Sequence, residues 1–248
     1  MKIDHPHSHH LPALQALWQE AFGDPPAYIR DFFATGFSSR RCLCITESEQ
    51  VIAAAYWLDC TYDGHKAAYL YAVATARSHR GQGYCHQLLE AIGTHLAVQG
   101  YAGTILVPGE PGLRAFYRGM GYADFGGMDA IFAVAGQPIP LRQIDAGEFA
   151  TLRRNYLPTG GVVQETENLA FLACHYRFYQ GDGCLLAAHA QDGTLFVPEL
   201  LGKAEPAGIL AALGAREGTF RIPGTAPFAM WHPLGDAPPP TYFGFAFD

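Results

Sequence analysis

Between a strand-like run ending at Thr75 and an amphipathic run lies the hexapeptide Arg80-Gly81-Gln82-Gly83-Tyr84-Cys85. In the run that follows it, Leu88, Leu89, Ile92 and Leu96 recur at helical spacing, and Gly100 closes the segment. A polar, glycine-rich turn from strand into helix places unpaired backbone N–H groups and a partial positive charge at one point, which suits a diphosphate. Gly81 and Gly83 let phosphate oxygens approach the backbone, and Arg80 adds a charge-assisted contact. The plainer alternative is that the two glycines only make a tight turn. A dinucleotide fingerprint is disfavoured because His86 occupies the position of the third glycine in G-x-G-x-x-G, and no G-K-[ST] follows as an ATP loop requires.

The flanking segments fix the fold class. Residues 11–22 put Leu11, Leu14, Leu17, Trp18 and Ala21 on one helical face, and Asp24-Pro25-Pro26 stops that helix and starts another through Phe33. Residues 41–46 and 51–61 read as a hairpin around the polar stretch 47–50, and residues 67–75 add a third strand. A short strand at 102–107, a short helix at 111–118 and a strand region at 129–134 follow the loop helix, giving the order ααβββαβαβ. Beyond Gly136 come helices around 146–156 and 168–179 and strands at 185–189 and 194–197. A helix at 206–213 and closing strands near Phe220, Phe228 and Tyr242 complete the chain. The expectation is an α/β (α+β) protein with a mixed central sheet flanked by helices. Glycine and two prolines at 136–140 mark a boundary between units 1–135 and 136–248.

The motif R-x-x-G-x-small before an amphipathic helix, after a β-meander and before a further strand, resembles the acyl-CoA pyrophosphate loop of the GNAT superfamily. Cys85 stands where that family usually has Gly or Ala. A second segment, Leu113-Arg114-Ala115-Phe116-Tyr117-Arg118-Gly119-Met120-Gly121-Tyr122, looks like the family's A-x-x-F-Y-x-x-x-G-[FY] signature. The resemblance covers residues 1–135, and the remainder is only loosely similar to a second, smaller, degenerate GNAT-like unit without the loop. It implies the GNAT fold and transfer of an acetyl (acyl) group from acetyl-CoA to a primary amine by direct attack. Backbone groups of Val73, Ala74 and Thr75 would hold the pantetheine arm, and Arg80, Gly81, Gln82, Gly83, Tyr84 and Cys85 the pyrophosphate. Tyr117 would be the general acid, and a backbone N–H of the fourth strand would polarise the acetyl carbonyl. Read without the resemblance, Tyr117 is a core aromatic beside Phe116. Glu110 is a candidate base, as is Asp248, because some tandem GNAT enzymes of the enhanced-intracellular-survival type place a C-terminal carboxylate in the active site. Two other functions are open to the same chain: a non-catalytic acyl-CoA sensor, which needs the loop but not Tyr117, and a protein-interaction scaffold, which needs neither.

Composition narrows the partners. A net charge of −7 with no Lys/Arg-rich run argues against nucleic acid, which requires a basic face. Arg77, Arg80, Arg114 and Arg118 form a local basic spot sufficient for one diphosphate. No window has the length of a membrane span, and the opening MKIDHPHSHH has no apolar signal core, so the expectation is a cytoplasmic protein. The six cysteines show no CxxC spacing, and His5, His7, His9 and His10 have no spaced Cys or carboxylate partner, so no metal is expected. His79 and His86 flank the loop. Glu199 and Met230-Trp231 are candidate pocket residues between the halves, with core packing the alternative for the apolar pair. The acceptor, a small-molecule or peptide amine, is not specified by the sequence, nor is the oligomeric state, a homodimer included.

Overall fold

The computed structural model describes residues 1–247. The first half runs β1 (Lys2–Asp4), α1 (Leu11–Phe22), α2 (Pro26–Thr35), β2 (Cys42–Glu47), β3 (Gln50–Tyr62), β4 (His65–Thr75), α3 (Tyr84–Val98), β5 (Tyr101–Leu106), α4 (Leu113–Arg118) and β6 (Ala123–Val134). The second half runs β7 (Leu141–Ile144), α5 (Ala146–Tyr156), β8 (Val163–Gln164), α6 (Glu167–His175), β9 (Arg177–Gly181), β10 (Cys184–Gln191), β11 (Thr194–Gly202), α7 (Pro206–Ala212) and β12 (Glu217–Pro233). Helix α1 ends where Gly23 adopts a left-handed conformation that a side chain would oppose. Asp145 caps α5 by accepting the Glu148 N–H.

All twelve strands join one mixed sheet, in the order β1-β2-β3-β4-β5-β12-β11-β10-β9-β7, with β6 on β12 and β8 on β3. Strands β1 to β4 are antiparallel and β5 adds in parallel to β4. The same arrangement recurs: β7, β9, β10 and β11 are antiparallel and β12 adds in parallel to β11. The two sets meet where β5 pairs antiparallel with β12.

Strand alternation sets the layers. On β3, Tyr56, Leu58, Cys60 and Tyr62 face a core that contains Trp18 and Phe32 from α1 and α2. Ala53, Ala55 and Trp57 face the opposite core, built on Leu88, Leu89, Ile92 and Leu96 of α3. The first of these cores runs on into the second half through Phe149, Phe171, Phe243, Phe245 and Phe247. Packing is therefore continuous across the midpoint of the chain.

Most of the elements read from sequence are present, and the departures have physical causes. The helix expected at 168–179 stops at His175, because Arg177 to Tyr179 pair with β10 and β7 instead. Phe220 and Phe228 lie in one long strand, β12, whose pairing with β6 shifts register between Pro223 and Pro227. Tyr242 makes only an isolated bridge to Gly161. Strands β1, β7 and β8 span two to four residues, too few for an alternating pattern to register.

Candidate active site

The cleft begins as a failure of two strands to stay together. Parallel pairing of β4 with β5 ends at Tyr69↔Ile105, although β4 continues to Thr75. Beyond that vertex the strands diverge, and a cleft of about 1020 Å³ opens between residues 69–75 on one side and 106–110 on the other. At its base β4 carries a bulge: Tyr71 opposes Tyr56 and Ala74 opposes Ala54, so Ala72 and Val73 share one partner position. Ala72 takes φ +47°, a left-handed conformation for which an alanine forfeits roughly 1–2 kcal/mol. Such bulges re-aim backbone groups. On the far side of the bulge the Ala76 N–H donates to the Ile52 carbonyl at 2.8 Å. Alternation along the ladder then turns the backbone groups of Thr75 and Val73 away from β3, towards the cleft.

At the open end of the cleft stands the N-terminus of α3. Its N-cap, Gly83, sits at φ +82° and Gly81 at φ +75°, conformations natural only to glycine. No side chain caps the helix and no acidic residue lies in its first turn, so its leading N–H groups face the cleft side of the loop without a carboxylate in competition. A Cβ at Gly81 would meet nothing within 4 Å, which leaves the backbone approachable. Arg80 lines the cleft and its Nε donates to the Thr75 carbonyl at 3.1 Å, tying the loop to the end of β4.

Of the basic spot expected from sequence, Arg80 alone lines the cleft. Arg114 and Arg118 both pair with Asp124, and Arg114 also donates to the Pro227 and Phe228 carbonyls. Arg77 donates through its backbone N–H to Glu20 Oε1 at 2.6 Å. Gln82 turns back to the Ser78 carbonyl and stays out of the cleft lining, whereas His79, Gly83, Tyr84, Cys85 and His86 belong to it. Burial pushes the Cys85 thiol up to about 11.

Tyr117 lines the same cleft from α4, 8% exposed, with its ring 5.7 Å from that of Tyr122. Burial, then proximity to Cys85 and Tyr122, raises its phenol well above the ordinary value, so the group stays protonated at neutral pH. Glu110 is exposed on the loop after β5 and also borders the cleft. Asp248 lies outside the described residues.

Sequence reading missed one wall. Trp18, Tyr69, Tyr71, Ala246 and Phe247 line the cleft, and the Phe247 ring lies 5.1 Å from Tyr71 and 5.4 Å from Tyr69. The alternation Phe243-Gly244-Phe245-Ala246-Phe247 is the signal that could have found it. Glu199, by contrast, is no pocket residue. It is 1% exposed, accepts from Arg153 at 2.7 and 2.8 Å and from the Tyr242 hydroxyl at 2.9 Å, while Met230 and Trp231 are buried in β12. Near the N-terminus His9, His10 and Glu49 bring potential ligand atoms within 4.8 Å of one another. The His10 Nδ1 accepts the His7 N–H at 3.1 Å, which leaves the ring proton on Nε2 and no lone pair there for an ion. No helix among the described residues is long and apolar enough to cross a membrane.

Comparison with known proteins places this geometry. The family model for the acetyltransferase (GNAT) domain matches residues 2–124. A GCN5-related N-acetyltransferase from Kribbella flavida superposes with a TM-score of 0.69 at 17% identity, covering 93% of this chain and 70% of that one. One from Anabaena variabilis gives 0.71 at 13% identity, covering 94% and 73%. A third, from Sphaerobacter thermophilus, gives 0.55 at 14% identity and covers 98% of each chain. Comparison with curated protein sequences gives no match. The loop and the buried tyrosine fall within the matched segment, as does all of the cleft lining except Ala246 and Phe247, and with that segment the chain carries a GNAT acetyltransferase domain over residues 2–124.

Proposed function

We propose that this chain is an N-acyltransferase that takes an acetyl or other short acyl group from acyl-CoA and delivers it to a primary amine by direct attack. The observation that carries the reading is the convergence, in one cleft, of an unpaired strand edge, a helix N-terminus with approachable glycines, and a buried protonated tyrosine.

The backbone groups of Val73 and Thr75 would pair with the amides of the pantetheine arm as an added strand would. The N–H groups of Gly81 to Cys85, with Arg80, would hold the pyrophosphate. A backbone N–H re-aimed by the bulge at Ala72 would face the thioester carbonyl and stabilise the oxyanion. The neutral amine attacks the carbonyl carbon, the tetrahedral intermediate collapses, and the C–S bond breaks. The departing sulfur takes its proton from the Tyr117 hydroxyl, while the ammonium proton of the new bond leaves through water to a carboxylate, for which Glu110 is the available group at the cleft mouth. That a protonated phenol lines the same cleft as the strand edge and the glycine loop favours this role over a purely binding cleft.

The repeated strand order of the second half supports reading residues 136–248 as a second GNAT-like unit. Its helix α7 has Glu205 at the N-cap and no G-x-G before it, so it would hold no pyrophosphate.

The test is calorimetric titration with acetyl-CoA and with CoA, beside an Arg80→Ala, Gly83→Asp double variant, followed by thiol release with a panel of amines. Micromolar binding, lost at least about 100-fold in the variant as several charge-assisted bonds disappear, is the expected result. An unsubstituted protein that binds neither compound defeats the proposal.

A further inference from the structure

Past Pro238, whose carbonyl accepts from the Tyr62 hydroxyl at 2.7 Å, the chain leaves the surface and runs inward. The Tyr242 carbonyl accepts the Val162 N–H at 2.8 Å, and from there to Phe247 no strand accompanies it. Every residue from Tyr242 to Phe247 is buried. A buried peptide group that finds no partner destabilises by about 1–3 kcal/mol, so these groups must be met by side chains.

Gln164 meets two of them, one on each side of the Phe245 Cα. It is 1% exposed, with Nε2 donating to the Phe245 carbonyl at 2.7 Å and Oε1 accepting the Phe245 N–H at 3.3 Å. This two-point contact spans 81 residues of sequence, and Gln164 is itself held because β8 pairs with β3 at Cys60↔Gln164. Upstream, Gly244 lies so close to the Glu199 carboxylate that a Cβ there would sit 1.7 Å from Oε1. Downstream, the Phe247 N–H donates to the Tyr69 hydroxyl at 3.2 Å. Tyr69 marks the vertex at which β4 and β5 part, so Phe247 packs at the closed end of the cleft, away from the α3 N-terminus.

We propose that Gln164 is a positioning residue of the cleft: its buried carboxamide clips the N–H and the carbonyl of Phe245 and so fixes Ala246 and Phe247 as the wall that orients the acceptor. The inference rests on the transfer reading above. It assigns the second half a direct part in the site, through a residue that touches no substrate.

Three variants test it: Gln164→Leu, Gln164→Glu and Phe247→Ala. Gln164→Leu keeps volume but leaves both Phe245 groups unmet. It should lower kcat/KM for the amine about tenfold or more, since small misplacements at a reacting centre carry effects of that size, while CoA affinity by calorimetry stays within about twofold. Amide hydrogen exchange at residues 243–247 should rise in the same variant. In Gln164→Glu the carboxylate can accept the Phe245 N–H but repels its carbonyl. Protonation restores a donor, so its activity relative to the unsubstituted protein should recover on acidification. In a Phe247→Ala background Gln164→Leu should add less than about twofold, because both changes act on one wall. Multiplying effects, an unchanged kcat/KM, or unaltered exchange at 243–247 would overturn the proposal. A protein that binds CoA but is inert towards every amine defeats the transfer reading instead, and exchange at 243–247 then decides the clip by itself.

Discussion

Replacing Tyr117 with phenylalanine removes a single oxygen, and its consequences for stability and for chemistry separate cleanly. The side chain is 8% exposed and its hydroxyl has no hydrogen-bond partner among the described residues, so deletion orphans no neighbour. Stability should change by no more than about 0.5 kcal/mol, which in a chain of this size moves Tm by about 2 °C at most. Chemistry should suffer far more. Burial and the neighbouring Cys85 and Tyr122 hold the phenol well above its ordinary value, so it is protonated and able to donate throughout pH 6–9. Loss of a general acid lowers kcat by about 10²-fold or more, equivalent to about 2.7 kcal/mol of barrier. The assay is kcat at saturating acetyl-CoA with an accepted amine, across pH 6–9, beside a thioester whose thiol is more acidic. The deficit of Tyr117→Phe should shrink with the better leaving group. A kcat within twofold of the unsubstituted enzyme, or a deficit indifferent to the leaving group, refutes the assignment.

Cys85 gives a second, pH-based handle. With its thiol pushed up to about 11 by burial, alkylation should be slow at pH 7, rise about tenfold per pH unit until near that value, and be blocked by bound CoA. Peptide mapping distinguishes it from the exposed Cys174, and rapid labelling at pH 7 would contradict the burial argument. The Arg153–Glu199 pair predicts a stability effect. Glu199→Ala leaves a guanidinium that is 2% exposed without its carboxylate, so unfolding should become easier by about 3–5 kcal/mol. Thermal melting should then fall by about 6–20 °C, and a shift under 2 °C would show that water or local rearrangement meets the charge.

What could be read from the sequence was what is local in the chain. The Arg80–Cys85 loop and the start of α3 follow from turn chemistry and helical period within about fifteen residues, and both lie where expected. Tyr117 is singled out by the resemblance of its flanking segment rather than by period or turn chemistry, and it lines the cleft. The helix expected past His175 gives way to a strand because an aromatic run satisfies either period, and pairing with β10 and β7, a tertiary effect, decides it. The basic spot failed for a similar reason. Four arginines look alike in sequence until two are seen to pair with Asp124 and the Arg77 guanidinium to donate to the Glu20 carbonyl. Nothing local announces that Gln164 meets Phe245 or that Glu199 meets Arg153. A buried polar residue and its partner share no pattern in sequence, only a place in the fold.

The second half belongs in any account of the cleft for a reason that the sheet makes plain. Strand β5 can leave β4 beyond Ile105 only if its other edge is held, and β12 holds it, from Gly103↔Pro233 to Leu106↔Met230. Strand β12 in turn is anchored by β11 and by most of β6. The divergence that creates the cleft is therefore stabilised from the second half. It leaves the β4 edge from Leu70 to Thr75 without a strand partner, a condition that folded proteins seldom leave uncovered. At the vertex the cover is Phe247, brought there by a segment that starts beyond β12 and is pinned by Val162, Gln164 and Glu199, all second-half residues. Towards the α3 N-terminus the edge remains free to pair with a ligand's amides. One half thus supplies the free strand edge and the glycine loop of the cleft, and the other sets how far the strands part and what closes the base.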